Sequence, residues 1–188
     1  AEKLSKNKQM MAEIKTLAEK GLPIYAECGG LMYLGKGLKD LKGAKYDMAG
    51  IFPWTSRMLE KRKAIGYREV VIQNDCPFLK KGEKVRGHEF HYSEINPPLP
   101  IGDRFKICPH KGGMGGLVKQ VYRLTHNPPL EKSPSFPPFP KGDEAKSPSF
   151  PPFPKGDEGG LKGGKGGFEG YLYKNTLASY IHLHFASS

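Results

Sequence analysis

Cysteine is scarce in this 188-residue chain: three residues, an odd number without metal-site spacing, argue against a disulfide framework. A reducing compartment follows, the cytoplasm being the simplest. Long apolar runs are absent too. None approaches the ~20 residues that a membrane span needs, and the first residues are charged and helix-like rather than leader-like. Hydrophobic residues make up only 37%, whereas glycine and proline number 24 and 17. That balance implies one ordinary domain whose folded core is diluted by a disordered stretch. Acidic residues fall short of basic ones, for a formal net charge of +11. Nucleic acid is the reflex partner for such a charge. Yet the basic residues are spread out, with small clusters only at Lys61–Lys63 and Lys80–Lys84, and no nucleic-acid recognition motif accompanies them. A basic surface of this kind is either merely solvated or serves to concentrate an anionic substrate. A phosphate-binding loop is also missing. No Gly-x-x-x-x-Gly-Lys-Ser/Thr run occurs, and Lys111-Gly-Gly-Met-Gly-Gly116 lacks the lysine and hydroxyl that should follow.

What is present has an order. Leu4 to Lys20 reads as an amphipathic helix with Met11, Ile14, Leu17 and Ala18 at helical spacing, closed by Gly21. Leu22 to Ala26 reads as a short buried strand, and Cys28-Gly29-Gly30 turns sharply into a second helix, Leu31 to Leu34. Helix, strand, turn and helix in that order fit a parallel α/β sheet. Ala64 to Ile72, Lys84 to Ile95, Lys119 to Thr125, Tyr171 to Tyr173 and Leu177 to Phe185 carry the aromatic and β-branched residues of strands. Between them, residues 127–167 differ in character. Lys132 to Glu144 is repeated identically by Lys146 to Glu158, and a glycine-rich run, Gly159 to Gly167, follows. Two copies are too few for a solenoid, and four prolines in each block helix and interior strand. The segment is expected to be a disordered tandem-repeat insertion with patches of polyproline II.

Chemistry concentrates at Cys28. A nucleophile set between small residues at a strand-to-helix turn is an elbow, here Ala26-x-Cys28-x-Gly30. The helix N-terminus should favour the thiolate, and the Gly29 N–H should face a developing oxyanion. The competing reading is a buried structural cysteine, which is the expectation for Cys76 and Cys108. A thiolate needs a base, and the candidates are His182, His184, His88 and His91. On a strand His182 and His184 share a face, whereas His88 and His91 face opposite ways. A zinc site built from the four histidines is the alternative use. His110 and His126 lie in loop-like sequence and carry no signal.

Three segments together, Tyr25-Ala-Glu-Cys-Gly-Gly-Leu-Met-Tyr-Leu34, Gly87-His-Glu-Phe-His-Tyr-Ser93 and Leu177-Ala-Ser-Tyr-Ile-His-Leu-His-Phe185, resemble cobyrinic acid a,c-diamide synthases. Met48-Ala-Gly-Ile-Phe-Pro53 and Ala64-Ile-Gly-Tyr67 fit as well, so the resemblance covers nearly everything outside the insertion. It implies a class I glutamine amidotransferase domain with a Rossmann-like (flavodoxin-like) α/β fold and a mixed sheet, formed by residues 1–126 and 168–188 around the insertion. In that family released ammonia passes to an ATP-binding synthetase domain, which uses magnesium and activates the a and c carboxylates of the corrin ring.

By this resemblance Cys28 is the nucleophile, forming a glutamyl thioester, and His182 is the base that raises its nucleophilicity. His184 stands where many class I amidotransferases carry a glutamate, so it is the possible third member, with His91 as a fallback base. Arg57, Arg62 and Arg68 are candidates to face corrin carboxylates. No cofactor is expected on this chain; ATP and magnesium belong to the synthetase domain. The partners implied are glutamine, cobyrinic acid or a related tetrapyrrole, and that synthetase domain, with no nucleic acid and no membrane. The chain starts after the glycine-rich strand end that helps form the family's oxyanion hole. Losing one oxyanion donor costs roughly 100- to 1,000-fold in rate, so the chain alone is expected to hydrolyse glutamine poorly. The rival class is a degenerate module that docks a synthetase without chemistry. Hydrogenobyrinic acid and a nickel tetrapyrrole are rival substrates.

Overall fold

A computed structural model describes residues 1–96, 104–107, 116–125 and 167–185. The repeat-bearing segment up to residue 166, together with Cys108, His110 and His126, lies outside the described residues. The predicted first helix is two: α1 (Glu2–Lys6) and α2 (Lys8–Glu19). Asn7 breaks it. Its backbone leaves the helical region, and its side chain accepts from the Met10 N–H at 3.0 Å, capping α2. Met11 and Ala18 are buried on the inner face and Ile14 packs beside them, but Leu17 is exposed.

The chain continues through β1 (Ile24–Glu27), α3 (Gly29–Leu34), β2 (Gly37–Lys39), β3 (Lys45–Asp47), β4 (Thr55–Met58) and β5 (Ala64–Ile72). It then forms β6 (Lys84–His91), β7 (Ser93–Asn96), β8 (Arg104–Ile107), β9 (Gly116–Thr125), β10 (Phe168–Tyr173), β11 (Thr176–Ser179) and β12 (Ile181–Leu183). The strand predicted over Ala64 to Ile72 matches β5 at both ends. The one predicted over Lys84 to Ile95 divides at Tyr92 into β6 and β7, which belong to different sheets. The predicted terminal strand likewise divides at Tyr180 into β11 and β12.

Two mixed sheets result. The larger has the order β1-β11-β10-β9-β5-β6-β12, with β8 also on β9; the smaller runs β3-β2-β4-β7. Parallel pairing joins β1 to β11 and β2 to β4, and the remaining pairs are antiparallel. Mixed sheets with helices are consistent with the flavodoxin-like α/β class, although antiparallel pairing predominates. The large sheet carries apolar residues on both faces. Ala18, Leu31, Leu34, Phe52, Trp54, Tyr171 and Ala178 fill one core, with Trp54 stacked on Phe52 at 4.4 Å. Val70, Ile72, Val85, Tyr122, Leu177 and Ile181 fill the other. Among the described residues no helix is long and apolar enough to cross a membrane.

This arrangement places the end of β1 beside the end of β11, with Glu27 opposite Ser179 in register. Where the chain turns after β11, β12 is delivered to β6, with His182 opposite His88. Gly87 makes that pairing possible. A Cβ there would collide with the His182 carbonyl and the Ile181 side chain. Residues 28 and 182 are thus brought to one end of the sheet, where ligands of α/β folds tend to bind.

Candidate active site

Cys28 occupies the turn between β1 and α3 with φ 47° and ψ −99°, a conformation that few non-glycine residues adopt. The turn is held by the Cys28 N–H, which donates to the Ser179 carbonyl at 2.8 Å, and by the Met32 N–H, which donates to the Cys28 carbonyl at 3.1 Å. Small neighbours are required: a Cβ on Gly30 would lie 3.1 Å from the Ala26 Cβ. The strained, small-flanked elbow expected from the sequence is therefore present.

The thiol is partly buried and donates weakly to the Phe90 carbonyl at 3.9 Å. Burial pushes its pKa above the ordinary thiol range and the Glu27 charge adds to this, while the Gly29 N–H works against both. The Gly29 N–H acts in the direction expected of the helix N-terminus, but burial outweighs it. One N–H at the head of a six-residue helix does not offset desolvation. The surroundings of Cys28 therefore oppose ionisation of the thiol.

His182 is tied to the nucleophile's own strand. Its Nδ1 meets Glu27 Oε2 at 3.2 Å, and its ring stacks on His88 with centroids 4.8 Å apart and planes 8° apart. Among the described residues its Nε2 has no hydrogen-bond partner. Glu27 was missed by sequence reasoning as a site residue. Its other oxygen, Oε1, accepts from the Tyr25 hydroxyl at 2.6 Å and from the Leu183 N–H at 2.8 Å. Tyr25 and Glu27 alternate on one side of β1, immediately before the nucleophile, but the partner that gives Glu27 its role lies 155 positions away.

His184 is not on His182. Its Nε2 meets His88 Nδ1 at 3.1 Å, just beyond the end of β12, and the carboxylate at His182 is Glu27. His88 has its pKa lowered by burial and then by the neighbouring His182 and His184, which favours its neutral form. The fallback base is corrected as well. His91 is buried, stacked on Tyr180 at 3.9 Å, with Nδ1 at the Ser93 carbonyl and Nε2 at Glu89 Oε1, each 2.8 Å away. Both of its ring nitrogens are occupied. The four histidines therefore do not converge: His88, His182 and His184 meet, and His91 faces the other way into the protein. No group of three or more potential ligands that could hold a metal ion occurs among the described residues.

The three arginines are not brought together. Arg68 is 7% exposed and paired through Nε with Glu89 Oε2 at 2.8 Å, so it cannot face a substrate. Arg57 and Arg62 line an open cleft of about 760 Å³ that also takes in Lys39, Lys42 and Lys61. Arg57 is paired there with Glu94. Cys76 is buried, and burial raises its thiol pKa.

A profile of the CobB/CobQ-like glutamine amidotransferase domain matches residues 1–120. The chain is similar to the cobyrinate a,c-diamide synthase of Leptospira interrogans serogroup Icterohaemorrhagiae serovar copenhageni, with 47% identity over 187 residues, 98% of this chain and 30% of that protein. The synthase of Syntrophotalea carbinolica is 46% identical over 189 residues, covering 100% of this chain and 30% of its own length. That of Caldanaerobacter subterraneus subsp. tengcongensis is 52% identical over 95 residues, 50% of this chain and 21% of that protein. The chain thus spans at most 30% of the length of these relatives.

Proposed function

The chain belongs to the CobB/CobQ-like glutamine amidotransferase domains, and we propose that it is the glutamine-hydrolysing part of a cobyrinate a,c-diamide synthase. The observation that carries this reading is the elbow: Cys28 at φ 47°, one residue after a carboxylate, Glu27, that holds the edge histidine His182. In the proposed cycle one nitrogen of His182 takes the Cys28 proton as Sγ attacks the glutamine side-chain carbonyl. Negative charge forms on the carbonyl oxygen, toward which the Gly29 N–H is available. The C–N bond breaks, and His182 returns the proton to the departing nitrogen, releasing ammonia and leaving a glutamyl thioester. Water activated by the same histidine then hydrolyses the thioester to glutamate and free thiol. Each turnover consumes glutamine and water and yields glutamate and ammonia.

Residues 1–126 and 168–188 form the amidotransferase unit in this reading, with 127–167 inserted. Its support is that β9 and β10 flank the segment and are antiparallel neighbours, with Phe168 opposite Arg123. Ammonia would serve the ATP- and magnesium-dependent amidation of the a and c carboxylates of a corrin by a synthetase partner, in the cytoplasm. Arg57 and Arg62 are proposed to meet tetrapyrrole carboxylates in the basic cleft. Hydrogenobyrinate and a nickel tetrapyrrole share that chemistry.

The second reading, a docking module without chemistry, is favoured by one observation: the thiol is partly buried and turned to the Phe90 carbonyl. A glutamine-mimicking chloroketone separates the two, with the adduct located by mass spectrometry. Labelling of Cys28 that free glutamine prevents, with Cys76 and Cys108 unmodified, is the expected result. An unmodified Cys28 would move the docking reading ahead.

A further inference from the structure

The acceptor on His182 is a carboxylate from the nucleophile's own strand, and every atom of it is accounted for. Oε1 is fixed by the Tyr25 hydroxyl at 2.6 Å and the Leu183 N–H at 2.8 Å; Oε2 is left to His182 Nδ1 at 3.2 Å. Tyr25 is itself wedged between Phe78 and Phe185, at centroid distances of 5.4 and 5.3 Å, so the support does not swing. The same carboxylate holds the backbone just past His182 and the ring of His182. It also ties together β1 and β12, which stand at opposite ends of the large sheet's strand order.

We propose that Glu27 is the positioning residue of this site, orienting His182 through Nδ1 so that Nε2 is the nitrogen that exchanges a proton with Cys28. The inference rests on the glutaminase reading and deepens it. A carboxylate on Nδ1 fixes the tautomer of the neutral ring and stabilises the imidazolium formed when the thiol gives up its proton. His184 cannot supply this, because an imidazole brings no negative charge and its Nε2 is at His88. The triad is thereby completed from residue 27, next to the nucleophile, rather than from two residues beyond the base. Glu27 also opposes the bare thiolate, through its charge on Cys28. Its hydrogen bond to the ring stabilises the imidazolium and so works against that repulsion once the proton has moved. Among the described residues the titratable groups against His182 are Glu27 from β1 and His88 from β6, with Tyr25 adjoining Glu27 and His184 adjoining His88.

The test uses the full 188-residue chain and follows the rate of Cys28 labelling by the chloroketone against pH, with and without glutamine. Glu27→Gln is expected to slow labelling near pH 7 by about tenfold or more, toward the ~10,000-fold that the same carboxylate-to-amide change costs a serine triad. The rate profile should move to higher pH, since the thiol then ionises without a stabilised imidazolium. The glutamine concentration that gives half protection should stay the same. Tyr25→Phe, which loosens the carboxylate without removing it, should slow labelling less and in the same direction. Should Glu27→Gln melt below the assay temperature, Glu27→Asp, which retracts the charge, gives the answer: slower labelling supports the role, and an unchanged rate overturns it. A Glu27→Gln profile displaced to lower pH would show Glu27 acting only as a like charge against the thiolate, an unmoved profile would show no part in the ionisation, and either overturns the inference alone. If the unaltered chain shows no glutamine-protected labelling, the glutaminase reading falls and this inference with it.

Discussion

Two histidine–glutamate pairs lie within a few residues of each other on this sheet, and they do different things. Glu89 and His91, both on β6, meet at 2.8 Å with side chains 14% and 5% exposed; Glu27 and His182 meet at 3.2 Å with side chains 26% and 32% exposed. The inner pair is saturated: both nitrogens of His91 face oxygen, its ring is covered by Tyr180, and Arg68 takes the second oxygen of Glu89. Burial alone would raise the Glu89 carboxyl, but the contacts with His91 and Arg68 more than offset it and hold it below the ordinary range. Among the described residues the outer pair has one ring nitrogen to spare, and its carboxylate comes from the residue just before Cys28. Identical chemistry becomes structural where every polar atom is used, and available for proton transfer where one is left over.

Substitutions can break that contrast. The largest effect is expected at His182. His182→Ala should lower glutamine hydrolysis and Cys28 labelling by ~10²- to 10⁴-fold, the contribution of a general acid–base group, with little change in the thermal transition. The same substitution at His91 should do the reverse. Removing one partner from a buried charged cluster costs up to about 3–5 kcal/mol, and Arg68, still on Glu89, should keep the loss near the low end. Guanidinium unfolding would show it, while the folded fraction labels at the unaltered rate.

A subtler contrast is with Glu169, a carboxyl fully enclosed beneath the elbow. It accepts from the Ser179 hydroxyl at 2.5 Å and the Tyr180 N–H at 2.8 Å and has no cation on it among the described residues; burial pushes it up to about 7. A raised folded pKa means that its contribution is fully present below about pH 4.5, its ordinary value, and is lost as pH rises through about 7. Glu169→Gln should therefore flatten the stability profile over that window. Glu89 has the opposite sign: its stabilisation is present above the ordinary carboxylate pKa and is lost only as pH falls through its lower folded value. The smallest effect belongs to the surface. Arg57→Gln, which removes an exposed pair with Glu94, should change stability by no more than about 1 kcal/mol.

The sequence made legible what is encoded by short-range pattern. The period-2 run Ala64 to Ile72 and the small-residue elbow around Cys28 were read at their true positions. Breaks inside continuous patterns were not. Asn7 caps a helix whose apolar spacing runs straight through it, and Tyr92 and Tyr180 sit in strand-like runs whose halves pair with different partners. Strands β2, β3 and β4 were missed because each spans only three or four residues and is specified by its neighbours. The same limit hid Glu27. Its partner lies 155 positions away, and nothing in the local pattern distinguishes a carboxylate aimed at His182 from one aimed at water. Arg68 was misread for the converse reason: the pairing that buries it is formed with Glu89 on the opposite strand.

The central claim is that Cys28, served by His182, attacks glutamine. It is tested most directly by mixing the chain with glutamine, quenching in acid and measuring the intact mass and the modified peptide alongside released ammonia. The account predicts a glutamyl adduct on Cys28 that accumulates with ammonia and is lost in Cys28→Ala. Ammonia without that adduct and undiminished in Cys28→Ala, or an adduct carried by Cys76 instead, would contradict it.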